Sequence, residues 1–256
     1  MNETAVNIVK EAESYVRAFY ASHEAEKRAY HNLGHTEAVV AAALEIGSHY
    51  QLDDPDYEVV MVAAWFHDVG YHINPDLHEQ AGAEAAAAFL AQHQVDASVI
   101  TKVQGCILAT RIPQEPHGLL EEIVCDADLF HLGRDRFKQI NELMCQEKAQ
   151  CMGKDLSKQQ WRLGTIHFLE SHHYHTDYCR MLLSDNKAAN LAALKKRAAA
   201  AATKKAKAEE KGVAGAPQPQ QDKHKKKDKD QDKHMMAETP NAPQSSKARE
   251  KKSKNE

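Results

Sequence analysis

The sequence predicts an all-helical bundle, and three observations carry that prediction. Apolar residues recur with the 3.6-residue period along nearly every segment up to about residue 183. No stretch alternates apolar and polar residues between turn formers, as a half-buried strand would. Residues 1–190 are also rich in Ala, Val, Leu and Ile, enough to bury a sizeable core.

The elements follow in order. Residues 3–21 place Val6, Val9, Val16 and Phe19 on one stripe of a first helix. After the turn YHNLGH, residues 35–50 carry Val39, Val40, Ala43, Leu44 and Ile46, which predicts a second. Pro55 suits a helix start, and VVMVAAWF at 59–66 is apolar enough for a buried central helix ending near Gly70. Residues 77–93, LHEQAGAEAAAAFLAQH, are alanine-rich and able to pack closely. Two short helices are expected at 97–110 and 119–132, on either side of the IPQEPHG loop. Longer ones are expected at 134–150 and 157–183.

From Asp185 the run NKAANLAALKKRAAAAATKKAKAEE has high helix propensity but loses its apolar period after Leu194. It is expected to project into solvent. Beyond Gly212, Pro, Gln, Lys, Asp and Ser dominate, the composition of a disordered tail. The organisation expected is therefore a folded domain at 1–190, a projecting Ala/Lys-rich helix at 191–211 and a disordered basic tail at 212–256.

Charge divides the chain in the same place. Residues 1–190 carry 15 Lys+Arg against 28 Asp+Glu, a formal charge of −13, whereas residues 191–256 carry 18 against 9, or +9. Lys clusters at 195–211 and 223–233 suit an anionic partner, such as nucleic acid or a membrane surface. Interspersed acids dilute that field and no aromatic platform accompanies it, so a solubilising role is the simpler expectation. The five cysteines (Cys106, Cys125, Cys145, Cys151, Cys179) form no CxxC pair and are odd in number, which argues against a disulfide framework or a thiolate zinc site. The opening MNETAVNIVKEAESYV has acids where a signal peptide needs basic residues. No run approaches the roughly 20 apolar residues of a membrane span. A cytoplasmic location is expected.

The informative histidines stand beside carboxylates inside apolar segments. His67 and Asp68 follow MVAAWF, and a charged Asp at the end of a buried helix is costly unless paired or bound to a cation. Asp126 and Asp128 follow EEIV and precede LFHLG, and His35 opens the second helix. Imidazole and carboxylate donors from three helices suit one divalent ion. Asp126 and Asp128 lie about 200° apart on a helix, so both cannot easily face one metal. His72, His78 and Glu79 come shortly after the HD pair, where a second metal would look for ligands. HEQAG lacks the second histidine of a zinc-protease motif. Thr110, Arg111 and His117 bracket a loop that could contact a bound substrate, and Lys187 and Asn190 could do so from the last helix. His172, His173 and His175 resemble a metal tract, but on a helix they would point in different directions.

The ordered set His35, His67–Asp68 and Asp128 resembles the signature of the HD superfamily of metal-dependent phosphohydrolases. The segments YHNLGHTEAVV, AAWFHDVGY, HEQAGAEAA, ILAT and CDADLFHLG carry the likeness, which runs from about residue 5 to 190. The resemblance implies an HD-domain bundle whose metal is held by His35, His67, Asp68 and Asp128, the last matching the family's Ala-Asp pair before an apolar residue. Asp126 stays as an alternative ligand, or as an acceptor orienting a ligand histidine. The ion is left open among Mn, Fe, Zn and Mg. YHN before His35 also resembles the opening motif of cyclic-nucleotide phosphodiesterases, where the earlier histidine protonates the leaving oxygen. That implies a proton-donor role for His31, which an imidazole of unperturbed pKa near 6.5 suits.

The family implies hydrolysis of a small phosphomonoester or phosphodiester, of nucleotide type. Asp68 would bridge metal and water, and His31 or Glu79 would manage the proton. The Glu-Asp extension of alarmone hydrolases is missing after Asp68. The alternative is an HD sensor that binds metal and nucleotide without turnover.

Overall fold

Helix α3 explains the placement of the elements around it. In this computed structural model, which describes residues 3–23, 28–153 and 155–213, α3 spans Asp54–Phe66 and buries every residue from Val59 to Phe66. A helix that is apolar all round must be enclosed. It touches α1 (Glu3–Ser22), α2 (Leu33–His49), α4 (His78–Gln92), α5 (Ala97–Ala109) and α6 (Leu119–Asp128). The core they share includes Val16, Ile46, Phe66, Leu90, Ile107 and Ile123, all fully buried. Each such side chain contributes roughly 1.5–3 kcal/mol. Three more helices follow: α7 (Phe137–Met152), α8 (Lys158–Ser171) and α9 (Asp177–Val213). Among the described residues there is no strand, and no helix is long and apolar enough to cross a membrane.

Local chemistry sets the starts of α2 and α3. The Asn32 side chain accepts from Gly34 N and His35 N, so α2 begins at Leu33, two residues before the expected start. Asp53 caps α3 by accepting from Asp56 N at 3.1 Å, and Pro55 occupies the first turn. After α3 the chain makes a 3-10 turn, Val69–His72, on which α4 is pressed closely. A Cβ on Gly70 would lie 1.9 Å from the His78 carbonyl oxygen, and one on Gly82 would lie 2.9 Å from that of Phe66. Glycine is required at these backbone crossings. They hold the segment that carries His67 and Asp68.

Two expected helices are interrupted. The sixth ends at Asp128, and residues Phe130–Gly133 form a 3-10 turn instead of completing a helix to 132. The helix expected at 157–183 is two helices, α8 and α9, divided at residues 172–176. The HHYH tract is therefore a loop and not a helical face. Its cause is tertiary: Asp126, fully buried on α6, accepts from His175 N and Thr176 N at 2.8 Å each and from the Thr176 hydroxyl at 2.6 Å. The Thr176 oxygen in turn accepts from Cys179 N at 3.2 Å, capping the first turn of α9.

Helix α9 runs without a break through residue 190 to Val213. Leu194 is buried and Ala198 packs against the core, so this helix stays on the protein at least that far. The chain divides into units at Gly212. The tail expected at 212–256 lies outside the described residues from residue 214 onward.

Candidate metal centre and the adjoining cavity

The site assembles where α2 starts, α3 ends and α6 ends. Asn32 places His35 on the first turn of α2. His67 is the residue after α3, and Asp68 leads into the glycine-packed turn. Asp128 is the last residue of α6. Their side chains converge: His35 Nε2 lies 3.3 Å from His67 Nε2 and 3.2 Å from Asp128 Oδ1. The donors of His35, His67 and Asp128 all fall within 4.8 Å of one another. Asp68 joins them through Oδ2, 3.2 Å from each imidazole nitrogen.

Three features make the group fit a divalent ion. His67 Nδ1 donates to the Ala64 carbonyl at 2.9 Å, which leaves Nε2 to face the cluster as a lone-pair donor. Asp68 Oδ2 is buried and completes no hydrogen bond, a costly state for a carboxylate without a cation. Finally, the two histidines are drawn toward positive charge. Burial would lower the His35 imidazole, but Asp128 and Asp68 override it and raise the pKa to about 9. His67 is raised against its own burial, chiefly by Asp68. Burial likewise opposes ionisation of both carboxyls, yet the histidines hold Asp128 below the usual range and Asp68 well below it.

His31 stands beside this group, not in it. Its ring stacks on Tyr71 at 4.1 Å and meets His35 edge-on at 5.8 Å. Its Nδ1 lies 2.5 Å from Glu147 Oε1, while Glu147 Oε2 accepts from Tyr30 N at 2.7 Å and His31 N at 3.0 Å. Burial would raise the Glu147 carboxyl, but His31 and these two N–H groups hold it down at about 2. Tyr71 also stacks on His78 at 3.8 Å, and His78 Nε2 is 3.2 Å from Glu79 Oε1. Glu79 is thus at the edge of the site. His72 packs instead among Phe19, Tyr20 and His23.

A cavity of about 450 Å³ opens on the cluster, with Tyr30, His35, Asp128, His131, Arg134 and Arg136 in its wall. The Tyr30 hydroxyl is 3.3 Å from His131 Nδ1, and burial together with nearby His35 lowers the His131 pKa to about 4. Arg134 is tied to Glu45 at 3.0 Å and lies over the Phe130 ring at 4.3 Å. Arg136 is exposed and has no acidic partner among the described residues.

The structure does not bring the remaining sequence candidates to this cavity. Thr110 is buried with its hydroxyl donating to Ile107 O at 2.8 Å. Arg111 and His117 are exposed elsewhere. Lys187 donates to the His172 carbonyl and lies over Tyr174, and Asn190 donates to Leu132 O at 2.9 Å. Asp126 has both oxygens committed to residues 175 and 176, turned away from the ligand set.

Sequence reasoning missed Glu147 and the cavity arginines. Glu147 had a legible signal. Phe137, Ile140 and Met144 mark the apolar stripe of α7, and the next position on that stripe is a glutamate. A buried acid on an apolar face requires a partner. Arg136 had no comparable signal, because its place at the cavity depends on how α7 follows the Phe130–Gly133 turn.

Comparison with known proteins agrees with this geometry. Residues 32–133 match the HD domain family. Among solved structures it resembles a predicted HD superfamily hydrolase from an uncultured Thermotogales bacterium. That match has 21% identity and a TM-score of 0.50, covering 78% of this chain and 98% of the other. It also resembles the Lin1889 protein of Listeria innocua, at 16% identity and a TM-score of 0.51, covering 77% and 95%. These two likenesses concern the fold. No curated protein matches the chain.

Proposed function

We propose that this protein is a metal-dependent phosphohydrolase acting on a small nucleotide-like phosphomonoester or phosphodiester. The observation that carries the reading is the buried set His35, His67, Asp68 and Asp128, with one carboxylate oxygen left without a hydrogen bond, beside an open cavity. A divalent ion held there would acidify a water molecule and polarise a phosphoryl oxygen. The chain's own groups supply the rest. Arg136, in the cavity wall without an acidic partner among the described residues, attracts the phosphate of the substrate. Tyr30, Phe130 and Ile140 give the cavity an apolar side for a sugar or base. In this reading Glu79 orients water and His31 protonates the leaving oxygen.

The cavity volume suits a mononucleotide or sugar phosphate better than a long polyanion, and the domain's formal charge of −13 disfavours the latter. The test is turnover of a panel of nucleoside monophosphates, cyclic nucleotides and sugar phosphates with added Mn²⁺. His31→Ala should retain metal and lose roughly 10²–10⁴-fold in kcat. Nucleotide binding without turnover of any ester would defeat this reading and favour a sensor.

A further inference from the structure

His31 is held by a residue far from it in sequence. Glu147 sits 116 residues later on α7, yet it receives three contacts from the turn that carries His31. Both members of this pair lie outside the residues that match the HD domain. The ligand set can form within that domain, but the His31–Glu147 pair needs the preceding turn and a helix that comes after it.

The geometry fixes which ring nitrogen is available for proton transfer. Glu147 Oε2 accepts from two backbone N–H groups, so this oxygen must be an unprotonated acceptor. Oε1, the other oxygen of the same carboxylate, faces His31 Nδ1 at 2.5 Å. With these contacts holding the Glu147 carboxyl down at about 2, Oε1 is ionised as well and can only accept, so Nδ1 carries the hydrogen. The ring is also clamped by stacking on Tyr71, whose carbonyl accepts from Arg28 at 2.8 Å. Arg28 in turn lies 3.9 Å from Glu147 Oε1 and 5.1 Å from the centre of the Tyr71 ring. Neither the tautomer nor the plane of His31 is left to chance.

We propose that Glu147 is the positioning residue for His31: it pins Nδ1–H, making Nε2 the proton-transferring atom, and so directs this site to esters with poor, alkoxide leaving groups. The proposal rests on the phosphohydrolase reading for its chemistry. In the step, a water oxygen bonds to phosphorus and the phosphorus–oxygen bond to the leaving group breaks. The acid is the doubly protonated ring: the leaving oxygen takes its Nε2 proton and departs as an alcohol, the ring is left with Nδ1–H held by Glu147, and a proton of the attacking water restores Nε2–H. Esters whose leaving groups are stable anions gain little from that proton.

Glu147→Gln separates a positioning role from a structural one. The glutamine carbonyl must serve the N–H groups of Tyr30 and His31, since an NH2 there would face two donors. That turns the NH2 toward Nδ1, which can then only accept, so the hydrogen moves to Nε2. The full-length protein with ¹⁵N-labelled histidine gives the readout by long-range ¹H–¹⁵N correlation, His31 being assigned by its loss in His31→Gln. The expected result is a protonated Nδ1 in the parent protein and the reverse tautomer in Glu147→Gln, with metal content unchanged. An unchanged tautomer in a folded Glu147→Gln protein overturns the proposal, whatever the activity. A reversed tautomer should lower turnover of alkyl phosphate esters by roughly 10²–10⁴-fold, as a misprotonated histidine does. Nitrophenyl esters should lose much less. Equal losses for both ester types would overturn the leaving-group assignment. Should Glu147→Gln fail to fold, the parent protein still decides, because a hydrogen on Nε2 and not on Nδ1 there refutes the pinning. Absence of turnover in the parent protein would sink the hydrolase reading, and with it the ester assignment, but leave the tautomer result standing.

Discussion

The Nε2 atoms of His35 and His67 are 3.3 Å apart, a separation at which two lone pairs repel unless a proton or a cation stands between them. Without an ion a proton takes that place, which is why Asp128 and Asp68 raise His35 to about 9 despite its burial. A histidine whose folded pKa exceeds its unfolded value near 6.5 stabilises the protein fully below 6.5. That contribution is lost as pH rises through about 9. A divalent ion replaces the proton, so its binding should tighten over the same interval as the competing proton leaves. We expect the difference in melting temperature between metal-loaded and chelator-treated protein to widen from pH 6.5 to pH 9. Asp68→Ala should lose most of the bound metal and most of this difference; elemental analysis and melts at the two pH values check both. Unchanged metal stoichiometry in that variant would remove Asp68 from the ligand set. His67, Asp68 and Asp128 were legible in sequence because each interrupts or ends an apolar run where a charge is costly, and His35 because it stands at the helix start that completes the ordered set. Arg136 was not, since nothing local distinguishes a cavity arginine from a solvated one.

Helix limits were legible where the chain carries its own caps and illegible where another element supplies them. Asn32 and Asp53 act on the first turn that follows them, and both α2 and α3 start close to where the apolar period begins. The 172–176 break has no such local sign. FLESHHYHTDYCRMLL lacks Pro and Gly, and its period continues across the break. Thr176 caps α9, but the acceptor that holds the loop at residues 175 and 176 is Asp126, about fifty residues earlier. This arrangement predicts opposite behaviour for two neighbouring aspartates. Asp126→Ala leaves the His175 and Thr176 N–H groups without their acceptor, each at about 1–3 kcal/mol when buried. Its stability to denaturant should fall by about 2–5 kcal/mol while the folded protein keeps its metal. Asp128→Ala should do the reverse, losing metal at smaller cost to the metal-free fold. Denaturant melts beside metal analysis separate them, and metal loss from a folded Asp126→Ala protein would place Asp126 among the ligands.

At the scale of the whole molecule, the question is how much of α9 belongs to the folded unit. Composition alone suggested a boundary at residue 190, because Lys and Ala dominate beyond it. Packing runs further: Leu191 is half-buried, Leu194 is buried and Ala198 touches the core, while Lys195 pairs with Glu170 of α8 at 2.7 Å. Alanine on a helix face has little apolar contrast with its neighbours, so periodicity fades before contact does. Two truncations should therefore differ. Ending the chain after Val213 keeps every described residue, and the melting temperature and metal content should match those of the full chain. Ending it after Asn190 exposes the surface that Leu191, Leu194 and Ala198 cover. A buried leucine contributes roughly 1.5–3 kcal/mol, so the loss should be about 2–4 kcal/mol. Asn190 and Leu183, through which α9 covers Leu132 and Gly133, remain in the shorter chain, so its metal content should persist. Equal stability of the two truncated proteins would mean that α9 leaves the folded unit at residue 190.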